Sequence, residues 1–225
     1  MGRAARQTVL QRIAPALKHD MVVHLQAVAM MAEMLNTRVE RGAASPDDLQ
    51  AGISKLNRLA REAVASCLKA TSWIDAPGDD SVPLRQGVHE CIDLLTATFN
   101  FRGFTLSDRV AEDGAFEVNR NALRHLLVAA LLAMADGARA PCELVVVGRI
   151  EGSHALLRLH RAPREHPPQG ALPAASEAGA RPALDWAEVQ ALAAMEGVEL
   201  ACNGGTVHMR LPRAVVTSPL QMAPV

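Results

Sequence analysis

The stretch Leu17-Lys18-His19-Asp20-Met21-Val22-Val23-His24-Leu25-Gln26 sets two histidines and a carboxylate into a strongly helical pattern. Imidazole titrates near 6.5, so around neutral pH it offers a neutral, nucleophilic nitrogen that can accept and hand on a phosphoryl group. Asp20, next in the chain, can orient the His19 ring or balance its positive charge. Lys18 is the one cation beside His19 in sequence. A basic side chain one turn later would suit a phosphate, but Val22 and Val23 stand there. His24 follows His19 by five residues, about 140° around a helix, so the two do not make the i, i+4 pair that grips a metal. His24 is expected to pack or hydrogen-bond near a helix seam. Cys67, Cys91, Cys142 and Cys202 are widely spaced, with no Cys-x-x-Cys pair, and read as reduced core residues. Asn203-Gly204-Gly205 reads as a hairpin turn, not a phosphate loop, because no helix follows it.

These residues need elements to hold them. From about Ala5 to Glu40, apolar residues recur every three or four positions: Ile13, Leu17, Met21, Leu25 or His24, Val28, Met31 and Leu35. Pro15 either starts that helix or kinks it. Met30, Met31 and Met34 read as core filling. Gly42 suits a C-terminal cap, Ser45 an N-cap and Pro46 a first helical position. A second helix over about Asp47 to Thr71 places Leu49, Ile53, Leu56, Leu59, Ala60, Val64, Cys67 and Leu68 on one face. Two long helices joined by a short loop form an antiparallel hairpin. A hairpin cannot enclose its own core, and a second copy across a two-fold axis completes a four-helix bundle.

Asp75 to Ser81 is a linker by composition. Beyond it the pattern turns to mixed α/β. Val82-Pro83-Leu84 and Phe104-Thr105-Leu106 read as strands, Arg85 to Phe99 and Asn119 to Ala135 as helices, the latter apolar nearly all round. Glu143 to Ile150 and His154 to His160 form a hairpin turning at Glu151-Gly152-Ser153. Ala162 to Pro182 is a Pro/Ala/Gly-rich loop. A last helix over Ala183 to Met195 precedes a hairpin of Val198 to Ala201 with Thr206 to Leu211, and the tail after Pro212 is expected to be loose.

Composition bounds the function. The chain has 225 residues, 49% hydrophobic and 21% charged, as in ordinary globular proteins. Its net charge of −1 gives no electrostatic case for nucleic acid or an anionic membrane. Aromatics are 3% and tyrosine is absent, so the core is left to Ala, Leu, Val and Met, which favours helices. No apolar run approaches the ~20 residues of a membrane helix, and no apolar signal core follows the basic N-terminus. The expected compartment is the cytoplasm.

The order of elements resembles a histidine kinase core. A hairpin carrying His-Asp is followed by helix, strand, buried helix, two strands, loop, helix and strand hairpin, over about residues 5 to 212. His19-Asp20-x-x-x-His24-Leu25-Gln26 is similar to kinases with His-Asp-x-x-Asn-His-Leu-Gln. The resemblance makes His19 the phosphoacceptor and implies an α+β fold. It consists of a dimerisation and phosphotransfer hairpin (residues 1–75) forming a dimeric four-helix bundle, an ATPase-type α/β sandwich (82–212), and a tail (213–225). In such kinases a polar residue four positions after the histidine positions hydrolytic water on the phosphorylated partner. Here that position is Val23, which implies transfer without much phosphatase activity.

The nucleotide machinery departs from the pattern. Kinase-type asparagines that hold magnesium and phosphates would fall at Ala129 and Ala133, and alanine has no ligand oxygen. The Asp-x-Gly-x-Gly loop would follow the strand ending near His160, where the chain reads Arg161-Ala162-Pro163-Arg164-Glu165. Pro182-Ala183-Leu184-Asp185-Trp186 replaces a second Gly-rich turn. The sandwich is thus degenerate, and no cofactor is expected. What is left resembles the kinase-like histidine phosphotransferases, such as sporulation phosphotransferase B and the cell-cycle phosphorelay phosphotransferases. These are dimers that relay phosphate between response-regulator receiver domains, and the receiver supplies the magnesium. On that resemblance Lys18, Val22, Val23 and Gln26 flank the docking site around His19. Neither nucleic acid nor membrane is expected as a partner. An active kinase with an unusual nucleotide site and a non-catalytic adaptor for receivers are the alternatives.

Overall fold

The computed structural model describes residues 1–43, 45–74, 80–111, 116–163 and 183–214. Most of the linker (75–79), most of the loop (164–182) and the end of the tail (215–225) lie outside the described residues. Packing groups residues 13–76 as one unit, and residues 1–12 with 77–225 as another.

The first unit is a helical hairpin. Helix α1 spans Gly2–Glu40 without a break at Pro15, and its part up to Arg12 belongs to the other unit. It ends where the sequence says it should. Gly42 takes φ +62, the Gly42 amide donates to Val39 O and the Ala43 amide to Arg38 O. This crossed pair satisfies carbonyls that the last turn leaves open. Helix α2 spans Pro46–Ile74, and Ser45 Oγ accepts from the Asp48 amide at 3.1 Å as its N-cap.

Two contacts give the register of the hairpin. Asp20 meets Ser66, and a Cβ added at Gly52 would collide with Leu35 Cδ2. Glycine there lets the two helices close. The inner face of α1 carries Leu17 and Met31 buried, with Met21, His24, Val28 and Leu35 half-buried. The inner face of α2 carries Gly52, Ala63, Ser66, Ala70 and Trp73.

Several expected core residues are not in that seam. His24 turns inward and Leu25 outward. Ile53, Val64 and Leu68 are exposed, as are Met30 and Met34. The physical reason is width: a two-helix seam covers one narrow stripe per helix, and the apolar pattern of this chain is broader.

The second unit is α/β. Strand β1 (Ser81–Pro83) pairs antiparallel with β3 (Glu117–Asn119), a short strand the periodicity did not reveal. Helix α3 (Leu84–Phe101) leads to β2 (Thr105–Val110). Helix α4 (Arg120–Asp136) is capped by Asn119, whose side chain accepts from the Ala122 amide. Strands β4 (Glu143–Glu151) and β5 (His154–Ala162), helix α5 (Trp186–Met195), and strands β6 (Glu199–Asn203) and β7 (Thr206–Pro212) complete it. The main sheet runs β2-β4-β5-β7-β6, with β2 parallel to β4 and the other pairs antiparallel.

The core lies between this sheet and α4, which is buried from Ala122 to Ala135. Leu144, Val146, Leu157, Leu159, Val207 and Met209 face it, while Arg149, Arg158, His208 and Arg210 alternate onto the other face. Arg124 and His125 of α4 are buried and Arg120 is half-buried, and each is paired. Glu90 on α3 accepts from Arg120 at 2.7 Å and from Arg124 at 2.9 Å. Burial raises the Glu90 pKa, but those hydrogen bonds outweigh it and hold the carboxyl below its ordinary value. His125 Nδ1 lies 3.1 Å from the Glu196 carboxylate. The part of α1 up to Arg12 completes the unit. Ala5 and Val9 are fully buried, and Gly2 sits against Ala191 O and Met195 of α5. Arg12 holds Asp136 through two bonds of 2.6 and 3.0 Å, and Arg102 adds a third at 2.9 Å.

Candidate functional site

The helix carrying His19 presents it to solvent. His19 is exposed, and among the described residues no hydrogen bond or ion pair holds its ring. Positions 19, 23, 26 and 30 advance by four, three and four residues and share one face of α1. His19, Val23, Gln26 and Met30 on that face are all exposed, Met30 at 67%. Lys18 and Val22 are exposed on its flank. The face therefore offers an imidazole beside an apolar strip, with little charge of its own.

Asp20 is turned elsewhere. Its Oδ2 accepts from Ser66 Oγ at 2.9 Å, and its Oδ1 lies 3.8 Å from His24 Nε2. Ser66 is 6% exposed, and among the described residues of the hairpin it is the buried polar side chain. The carboxylate next to His19 is thus tied across the seam to α2. Sequence reasoning missed Ser66. The available signal was a hydroxyl at an inner position of α2, in step with Ala63, Ala70 and Trp73.

The α/β unit carries Ala129 and Ala133, the two positions compared above with kinase asparagines. Ala129 is 0% and Ala133 3% exposed within α4. At the end of β5, Arg161 donates to Met134 O at 2.7 Å, closing the last turn of α4. The start of α5 is taken by a capping box. Asp185 accepts from the Glu188 amide at 2.8 Å, and Glu188 accepts from the Asp185 amide at 3.2 Å. A helix N-terminus favours an anion, and here two carboxylates of the chain itself fill that role. Among the described residues, no group of three or more His, Cys, Asp or Glu side chains could hold a metal ion. Of the cysteines, Cys91 is buried, and burial pushes its thiol far above the usual range. Cys67, Cys142 and Cys202 are only half-buried, and all four are free.

No protein-family model matches this chain, and no curated protein matches it. Among solved structures it is similar to the catalytic domain of the histidine kinase ThkA, at 10% identity and TM-score 0.44, over 60% of this chain and 95% of that one. It is similar to a bacterial phosphotransferase at 16% identity and TM-score 0.39, over 90% of this chain and 95% of the other. The Acinetobacter baumannii histidine kinase AdeS matches at 10% identity and TM-score 0.42, over 86% of this chain and 98% of its own. No helix among the described residues is long and apolar enough to cross a membrane.

Proposed function

We propose that this chain is a histidine phosphotransferase that relays a phosphoryl group between response-regulator receiver domains through His19, without using ATP. The observation that carries the reading is a contrast. His19 stands unpaired and exposed on a helical hairpin, while the kinase-type nucleotide positions are alanines buried in α4.

A receiver brings its own aspartyl phosphate and Mg²⁺. The P–O bond to its aspartate breaks, a P–N bond to the His19 imidazole forms, and the ring loses its proton. The reverse sequence charges the next receiver. The carrier needs only an accessible ring and a surface that docks the receiver. Val22 and Val23 supply apolar contact around His19, Gln26 a polar one and Lys18 a positive charge. Val23 has no group to orient water, so the transferred phosphate is passed on and not hydrolysed there.

Two features support leaving a magnesium–nucleotide complex out of this reading. Ala129 and Ala133 have no oxygen to offer, and the Asp185–Glu188 box sets negative charge at the start of α5. The exposed apolar residues Leu25, Val39, Ile53, Val64 and Leu68 on the two hairpin helices suit burial against a second copy.

The test is incubation with labelled ATP alone, then with a receiver domain charged on its aspartate. Label on His19 only in the second case supports the relay, and label from ATP alone would make the chain a kinase. Undiminished flux between two receivers through His19→Gln would sink the proposal.

A further inference from the structure

A polar crossing joins the two helices of the hairpin, between Asp20 and Ser66. We infer that Ser66 is a positioning residue for phosphoryl transfer at His19, because it holds the Asp20 carboxylate away from the imidazole. This inference rests on the reading of His19 as phosphoacceptor.

The two side chains concerned are adjacent in α1, so they project about 100° apart. Asp20 points to the seam, where the buried Ser66 hydroxyl donates to Oδ2 at 2.9 Å. His24, one turn on, lies 3.8 Å from Oδ1. Both carboxylate oxygens are therefore turned towards partners other than His19, whose ring stands alone in solvent. A buried hydroxyl in an apolar seam is costly unless bonded, so Ser66 and Asp20 hold each other in place.

The chemistry needs this arrangement. An incoming phosphoryl group carries close to two negative charges. A free carboxylate swinging to about 6 Å from it, in water-like surroundings, repels it enough to slow uptake about tenfold. Ser66 removes that option by keeping Asp20 on the seam side of the helix. The adjacent acid is then neither a base for the ring nor its orienting partner. It is a charge that must be parked.

The test uses phosphoramidate, a small donor that needs no receiver. Its P–N bond breaks, ammonia leaves, and the His19 nitrogen takes the phosphoryl group as the ring gives up its proton. Phosphohistidine is followed by intact mass on the full chain. Ser66→Ala is expected to take up phosphoryl about tenfold more slowly than wild type, and Ser66→Thr, which keeps the hydroxyl, near the wild-type rate. The deciding variant is Ser66→Ala with Asp20→Asn. Removing the carboxylate restores the rate if repulsion was the cause, whereas a merely loosened hairpin stays slow. Equal rates for Ser66→Ala and wild type, or no recovery in the double variant, would overturn the inference. Uptake by His19→Gln equal to wild type would instead refute the phosphoacceptor reading beneath it.

Discussion

Asp136→Ala tests how the α/β unit is closed. Asp136 accepts two bonds from Arg12 and one from Arg102, with only 14% of its side chain exposed. Removing one partner of a buried ion pair typically costs ~3–5 kcal/mol, since a charge is left unpaired. Arg102 is 32% exposed and rehydrates, but Arg12 is 9% exposed and stays largely dry. The expected loss is about 3 kcal/mol, or roughly 6–12 °C in melting temperature for a chain of this size. The pH dependence gives a second, independent reading. Burial raises the Asp136 pKa, but Arg12 and Arg102 outweigh it and hold the carboxyl below its ordinary value. A depressed folded-state pKa gives stability that is complete above the unfolded value and is lost as pH falls through the folded one. Wild type should therefore lose stability in acid below about pH 4, and Asp136→Ala should lose less of it. Trp186 fluorescence, with Trp73→Phe to silence the hairpin, reports α5 and hence this unit. A loss under about 0.5 kcal/mol, or an unchanged acid slope, would refute the reasoning.

Gly52→Ala forces a methyl into Leu35 and should cost the hairpin about 1–3 kcal/mol by thermal melting. Asp185→Ala removes the cap of α5 and should cost about 1 kcal/mol, read as faster amide exchange in its first turn. Leu68, 65% exposed on α2, should lie inside a dimer seam. Leu68→Glu is then expected to shift the chain from dimer to monomer in sedimentation while the helix content holds.

Much of the fold was legible because the signals are local. Gly42, Ser45 and Pro46 mark a helix end and restart without reference to the rest of the chain, and the structure uses each in that role. The strand hairpins show in alternation and turn residues. His19 stood out as a candidate because its motif is contiguous within one helix. What stayed hidden depends on pairings between distant elements. Three-residue β3 is too short for a period and exists through its pairing with β1. Arg12 looks like any surface arginine until Asp136, 124 residues on, is placed beside it. The outward turn of Ile53, Val64 and Leu68 follows from how narrow the helix seam is, which the period of the pattern does not encode. Ser66 was passed over because a hydroxyl is neutral in a hydrophobicity count, and only the register of α2 against α1 makes it a partner for Asp20.

The segment of α1 up to Arg12 has a consequence for how the chain folds as it is made. Ala5 and Val9 are core residues of a unit whose α4 and α5 end at Asp136 and Met195. Synthesis at about 5–20 residues per second leaves them without those partners for roughly 10–40 s. Through that interval the first turns of α1 must persist as an exposed amphipathic helix or wait unfolded. Docking of this segment onto α5 is then a long-range step, closing a loop from Val9 to Trp186. The unit that looks most like an independent module is the one that cannot finish folding until α5 has been made.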